Sequence, residues 1–303
     1  MKKRLAISFS GGRTSAIMTK KCLEQYKDDF DIVVTFANTG CEHNATLDFV
    51  RDCDKYWNFN IVWLEAVVNP EKGKGIRARV TDYENAYRWD QWEDELHPFH
   101  AAVRKYGIFN KQNPSCTGRL KEEVMYAYLR DYQGWGRGSY YTAIGIRSDE
   151  SDRMSTRSNH KFIYPLVKLG YSESMVKKEM ECFSHDLKIP GDHYGNCVTC
   201  WKKSTRKLMT IAKNSPEYFV FMSEMEKRYP RVKVNKGYED RVFFRDKKSA
   251  QWILDESKKP FKEYCDTKIE DFQPPLFSES LDDWIFWDKE SSCGSSCEIG
   301  ADE

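Results

Sequence analysis

The run Ser10-Gly11-Gly12-Arg13-Thr14-Ser15 puts two glycines and three hydroxyl side chains into six residues. Leu5-Ala6-Ile7 before it is short and apolar, as a buried strand would be. Ala16 to Leu23 after it carries apolar residues at helical spacing. On a strand-to-helix turn such residues form an anion site. Glycines let backbone N–H groups close on a phosphate, the helix start adds partial positive charge, and hydroxyls donate further bonds. Arg13 either reaches the anion or points to solvent. The run is not the mononucleotide P-loop, because no Gly-Lys-Ser/Thr follows. It also lacks the third spaced glycine of the dinucleotide fingerprint. A ligand-free Ser/Gly turn is the plainer reading, and the flanking strand and helix argue against it.

Two further stretches carry chemistry. Gly145-Ile146-Arg147-Ser148-Asp149-Glu150-Ser151 follows an apolar run from Ser139. Here Gly145 would allow close approach of a nucleotide. Arg147 would pair with phosphate or sulfate in a fork, and a carboxylate such as Asp149 would hold a metal or a sugar hydroxyl. Cys197-Val198-Thr199-Cys200 is a Cys-x-x-Cys, compatible with zinc, an iron–sulfur cluster or a redox dithiol. Cys116, in Pro114-Ser115-Cys116-Thr117, opens a predicted helix, where the dipole favours a thiolate. Cys293 and Cys297 lie in a Ser/Cys-rich tail. Buried, unligated cysteines are the structural alternative.

Positioning these groups requires a scaffold. Strands are predicted at 32–37, 60–64 and 139–147, with helices at 45–56, through about 129, at 172–183, 205–229 and 250–257. Strands and helices alternate from the start, which predicts an α/β fold: a parallel sheet with crossover helices, Rossmann-like. A smaller, mainly helical C-terminal region and an extended tail beyond Pro274-Pro275 complete it. Residues 1–210 are expected to form the nucleotide domain and 211–303 a helical, basic region. Within the former, 69–109 is poor in strand signal, with Arg77 and Arg79 followed by Tyr83, Tyr87, Trp89 and Trp92. That suits either a substrate-facing insertion on which bases stack or a surface excursion with a small aromatic core. The 303 residues carry a net charge of +1, so nucleic acid would need a local basic patch. Arg231, Lys233, Lys236, Arg241, Arg245, Lys247 and Lys248 supply one. No stretch approaches a membrane span, and the run after Arg4 is too short for a signal peptide, so a cytoplasmic location is expected. There, ten cysteines favour metal or sulfur chemistry over disulfides.

Taken together, Ser10–Ser15, Asn38-Thr39-Gly40, Cys116–Lys121 and Gly145–Ser151 resemble the motifs of the adenine nucleotide alpha hydrolase (PP-loop) superfamily. The likeness covers roughly residues 1–210. Within the superfamily the chain looks like a phage-type relative of the phosphoadenylyl sulfate (PAPS) reductases. The resemblance implies that Ser10, Gly11, Gly12, Arg13, Thr14 and Ser15 hold phosphates. It places Asn38, Thr39 and Gly40 on the adenine side, with Gly145 and Asp149 completing the nucleotide site. It implies ATP, or PAPS or adenylyl sulfate (APS), with Mg²⁺, and a 4Fe–4S cluster on Cys116, Cys197 and Cys200, with Cys293, Cys297 or Cys41 as a fourth ligand or the fourth iron left open. Catalytic roles would fall to Arg147, Cys116 and Cys297. One implied activity is ATP cleavage between the α and β phosphates coupled to sulfur transfer from a sulfur donor, with nucleic acid as acceptor. Another is a sulfonucleotide reductase with a tail cysteine as nucleophile and thioredoxin as partner. A third is a non-catalytic nucleotide sensor. Thr14 stands where many pyrophosphatases have Asp. Host cytoplasm, with no membrane partner, follows if the chain is phage-encoded.

Overall fold

The computed structural model describes residues 2–154, 161–234 and 237–266, so Cys293, Cys297 and the tail after Pro274 lie outside the described residues. The chain begins with β1 (Lys3–Ser8), α1 (Arg13–Tyr26), β2 (Phe30–Asn38), α2 (Asn44–Trp57) and β3 (Ile61–Val68). There follow β4 (Ile76–Thr81), α3 (Pro98–Tyr106), α4 (Glu123–Gln133), β5 (Tyr141–Ala143) and β6 (Lys161–Ile163). The last elements among the described residues are α5 (Pro165–Lys168), α6 (Glu173–Met180), α7 (Thr205–Asn214), α8 (Tyr218–Arg228), β7 (Arg231–Val234), β8 (Gly237–Asp240) and α9 (Ala250–Ser257).

Six strands form one sheet in the order β4-β3-β2-β1-β5-β6. Every pairing in it is parallel except β3 with β4. Strand alternation divides the core between the two faces. Leu5 and Ile7 of β1 pack with α1, α2 and α6, through Ile17, Cys22, Val50, Cys53 and Met180. Ala6 faces the opposite way, into the cluster that holds α3, α4, α7, α8 and α9. A boundary at 210 would fall inside α7, whose Leu208 and Ile211 share that cluster with Leu64 and Ala66 of β3.

Several elements differ from the sequence expectation. The region 69–109 contains β4, an edge strand antiparallel to β3, and α3, started by Pro98 and capped by His97. Its period-2 pattern, with Ile76 and Ala78 turned inward and Arg77 exposed, is diluted by arginines because an edge strand need bury only part of one face. The predicted helix 205–229 is two helices, broken at Ser215-Pro216, where proline has no N–H to continue the ladder. The strand expected over 139–147 is only three residues long. After one more bond, Ile144 N to Ile163 O at 3.1 Å, the chain turns, and Ile146 N donates to Ile144 O at 3.0 Å. Between Cys116 and α4 the helix widens into a π-turn over Gly118–Glu122. No helix among the described residues is long and apolar enough to cross a membrane.

Candidate functional site

Strand order reverses at β1. The chain proceeds outward through β2 and β3 on one side, whereas β5 lies on the other. The loops leaving the carboxyl ends of β1 and β5 therefore diverge, which opens a crevice between them, the usual ligand position in such sheets. A cavity of about 240 Å³ occupies it. Its walls include Ser10, Gly11, Gly12, Arg13 and Thr14 after β1, and Arg147, Glu150 and Arg153 after β5. Thr46 of α2, Glu173 and Lys177 of α6, and Asp192, Gly195 and Asn196 close it.

The β1–α1 turn is held from within by Ser15, which is buried. Its Oγ accepts from Ser10 N at 3.2 Å and Gly12 N at 3.3 Å and donates to Gly12 O at 2.9 Å. Ser15 thus shapes the turn and is not one of the cavity-lining residues. The two glycines differ. Gly11 has φ +78°, and a Cβ there would lie 2.7 Å from Thr46 Cγ2. At Gly12 a Cβ would meet only Ser10 Oγ, at 3.8 Å. Gly11 is required by the fold, whereas the space beside Gly12 is open.

The arginines are engaged by carboxylates. Arg13 forks onto Asp186 at 2.7 and 3.0 Å, reaches Asp192 at 3.3 Å and donates to the Leu187 carbonyl at 2.7 Å. Burial works against its charge, but Asp186 and Asp192 outweigh it and hold the guanidinium above its ordinary pKa. Rather than pointing to solvent, Arg13 clamps the 186–192 segment to the start of α1. Arg147 donates to Thr14 Oγ1 at 3.2 Å and pairs with Asp149 at 3.0 Å, Glu150 at 3.4 Å and Glu173 at 3.5 Å. Asp149 in turn accepts from Glu173 N at 3.3 Å. Lys177 bridges Glu173 at 2.8 Å and Asp192 at 3.0 Å, and Arg153 pairs with Glu150.

Gly145 does not line the cavity. A Cβ there would sit 3.2 Å from Ser15 Cα, so the approach it permits is that of the α1 backbone. Asn38, Thr39 and Gly40 also lie behind the cavity wall, in a buried polar network. Asn38 Nδ2 donates to Glu65 Oε1 at 2.6 Å and to the Tyr87 carbonyl at 2.9 Å. Glu65, fully buried, also accepts from Tyr87 N at 2.7 Å and pairs with Arg79. Thr39 Oγ1 donates to the buried Glu42 at 2.8 Å. Gly40 packs on His97, whose Nε2 lies 2.2 Å from where a Cβ would be. The sequence offered Arg79 and Tyr87 as substrate-facing residues, and here both serve this network.

Thr46 was not legible as a site residue. It is 2% exposed, lines the cavity against Gly11 of the Ser10–Thr14 turn, and its Oγ1 has no hydrogen-bond partner. The available signal was its position, the third residue of the helix that follows the Asn38–His43 loop. Glu173 and Lys177 had none, because α6 reaches the crevice only through packing on α1.

The cysteine motifs approach one another through the loop after β2. Val198 N donates to the Cys41 carbonyl at 2.9 Å, Glu42 bridges with Cys197, and Thr39 Oγ1 lies 3.4 Å from Cys197 Sγ. Burial first, then the neighbouring Cys197, Glu42 and Cys116, hold the Cys41 thiol well above its ordinary pKa. Lys203 Nζ fastens the Cys-x-x-Cys loop by donating to the carbonyls of Gly195, Cys197 and Val198 at 2.9–3.0 Å. Among the described residues, however, no group of three or more His, Cys, Asp or Glu side chains is gathered to hold a metal ion. The iron–sulfur cluster expected on Cys116, Cys197 and Cys200 therefore has no preassembled three-ligand group among the described residues, although Cys116 and Cys197 both act on the Cys41 thiol. Cys22 and Cys53 are core residues, and burial raises both thiol pKa values.

Fold and cavity together define an α/β protein with a parallel sheet and a hydroxyl-, glycine- and arginine-lined crevice at its strand ends. No family model matches the chain. It is 34% identical over 214 residues to the uncharacterized nin region protein ORF290 of Escherichia phage lambda, an alignment covering 69% of each chain. The chain belongs to the family of that phage protein. Two uncharacterized proteins of Methanocaldococcus jannaschii share shorter stretches. MJ0066 is 30% identical over 128 residues, 37% of this chain, and MJ0973 is 31% identical over 144 residues, 48% of this chain. The matches span 25% and 26% of those longer proteins. Among solved structures, the U34-tRNA thiolase NcsA from Methanococcus maripaludis with its 4Fe–4S cluster aligns over 77% of this chain and 75% of its own. At 15% identity and a TM-score of 0.36, that likeness is too loose to bear on the site.

Proposed function

We propose that the crevice binds the phosphates of ATP and that the protein cleaves ATP between the α and β phosphates, to activate an acceptor for sulfur transfer. The observation that carries this reading is the open space beside Gly12, at the start of α1 and at the strand-order reversal, faced by Ser10, Thr14 and Thr46. A helix start lined by three hydroxyls suits a polyphosphate.

In the reaction, an acceptor oxygen attacks the α-phosphorus and the bond to the bridging oxygen breaks, so pyrophosphate departs with the electron pair. The backbone N–H of Gly11 and the hydroxyl of Thr14 stabilise the charge that develops on it, joined by the Gly12 N–H and the Ser10 hydroxyl once these exchange Ser15 Oγ for phosphate. Sulfide then attacks the activated carbon, and AMP leaves with the original acceptor oxygen. The cations lining the crevice already have carboxylate partners, so a polyphosphate must exchange with those carboxylates or arrive with compensating charge. Mg²⁺ would supply that charge. Glu150 and Glu173 would hold it beside the phosphates, in exchange for their present Arg and Lys partners. Arg147, released from one carboxylate, can turn its fork to phosphate.

The test is pyrophosphate release from ATP and Mg²⁺ in the presence of sulfide and bulk RNA, with Gly12→Val as control. Release by the wild type, lost in the variant, is the expected result. Thioredoxin-dependent release of sulfite from PAPS, with no cleavage of ATP, would replace this reading with a sulfonucleotide reductase. ATP binding without turnover of either nucleotide would leave a sensor.

A further inference from the structure

The charge of the chain is nearly balanced, yet one face is not. Residues 195–216 contain five Lys or Arg and no Asp or Glu, and 241–248 contain four Lys or Arg and one acid. The fold joins these segments. Arg245 Nη2 donates to the Lys202 carbonyl at 2.9 Å, and Lys248 Nζ donates to Thr205 Oγ1 at 3.4 Å. Arg206, Arg245 and Lys247 are exposed, and Lys207 and Lys248 partly so. Aromatic rings lie among the cations. Arg206 and Lys207 sit over Tyr264 at 5.4 and 4.6 Å, and Lys248 sits 4.7 Å over Trp252, which is itself 37% exposed. The face is tied to the crevice by a short stretch of chain: Gly195 and Asn196 line the cavity, and the chain runs from them through the buried residues 198–201 onto α7. A cationic face with exposed aromatic surface matches a backbone of regularly spaced phosphates with bases free to stack.

We infer that Arg206, Lys207, Arg245, Lys247 and Lys248, with Trp252 at the edge, form the docking surface for a nucleic acid strand with unpaired bases. That this strand is the acceptor rests on the proposed function, but the docking itself does not. Phosphates contact the cations and give affinity without sequence preference. A base on Trp252 gives the preference for single strands, since a duplex keeps its bases stacked internally.

The experiment is fluorescence anisotropy of the full-length protein with a labelled single-stranded RNA of about 20 nucleotides, and with the duplex of the same sequence, across a salt series. The variants are Arg206→Ala/Lys207→Ala/Arg245→Ala, Trp252→Ala, and a charge-matched control, Lys27→Ala/Lys55→Ala/Lys178→Ala, at exposed sites outside this face. The first triple variant should bind the strand at least about tenfold more weakly at low salt, with a salt slope lower by about two, while the control binds as wild type. Trp252→Ala should weaken the single strand more than the duplex. ATP affinity, measured on the same samples by calorimetry, should be unchanged in all three. Equal strand affinity in the two triple variants would overturn the surface. So would wild-type protein that binds ATP but no strand. Loss of strand binding in the first triple variant from a protein that does not bind ATP would support the surface while sinking the nucleotide reading.

Discussion

Nη1 of Arg147 donates to Oγ1 of Thr14 across 3.2 Å, tying the loop after β5 to the first turn of α1. The same guanidinium faces the carboxylates of Asp149, Glu150 and Glu173. A planar fork can hold the hydroxyl and a carboxylate at fixed angles and exchange the carboxylate for phosphate, which a point charge on a flexible stem cannot reproduce. Arg147→Lys should therefore lower ATP affinity about tenfold, roughly 1.4 kcal/mol, by calorimetry. Unchanged affinity for ATP and PAPS alike would remove Arg147 from the site.

The glycines of the turn separate folding from binding. Gly12 has φ −105°, open to any residue, and space beside it. Gly12→Val should fold with a melting temperature close to wild type and bind no ATP, because its side chain enters the crevice. Gly11→Ala should do the reverse damage. Its positive φ and the 2.7 Å approach to Thr46 Cγ2 predict a loss of about 1–3 kcal/mol in stability, seen in thermal or denaturant melts. Identical behaviour of the two variants would show that the turn is not built as described.

Much of this arrangement was legible in the sequence, for reasons that differ by residue. The Ser10–Ser15 turn was readable because its strand, glycines and helix are contiguous. The sheet and its crossovers were readable because parallel strands are apolar runs separated by amphipathic helices. What was not legible was which candidate residues have partners distant in sequence. Asn38 and Thr39 look like polar loop residues available to a ligand, but Glu65, Glu42 and Tyr87 satisfy them. Gly145 looks like a nucleotide contact, but it faces Ser15. Arg13 looks like a phosphate ligand, but Asp186, over a hundred residues away, engages it. Side-chain pairing across elements decides each case, and no local pattern encodes it.

Thr46 offers a test of the crevice that does not disturb the turn. Its hydroxyl is buried without a partner, a cost to the ligand-free fold that a bound phosphate would offset. Thr46→Val keeps the shape and removes the hydroxyl. ATP affinity should fall by about 1–1.5 kcal/mol while the melting temperature stays level or rises. Thr46→Ser should keep the affinity. A Val variant that binds ATP normally would show that the hydroxyl does not face the ligand.

His97 makes the region behind the crevice pH-sensitive. Its ring lies where a Cβ on Gly40 would be, its Nδ1 accepts from His100 N at 3.4 Å, and its Nε2 has no partner. Burial, the largest influence, pushes its pKa down from 6.5 to about 4. Between those values the unfolded chain takes up a proton that the folded chain refuses. The stability gained by keeping the ring neutral is therefore complete above about pH 6.5 and is lost as pH falls towards 4. The loss should reach roughly 3 kcal/mol. Other groups titrate over the same range. Glu226, raised by burial to about 7, works in the opposite sense, losing stability as pH rises. The informative quantity is therefore the difference between wild type and His97→Gln, which has no proton to gain. Urea melts of both proteins from pH 7 to pH 4 should show the wild type losing stability more steeply, with the curves converging at the acid end. Parallel curves would mean that His97 takes up its proton equally well in both states, and that the packing of Gly40 does not depend on a neutral ring.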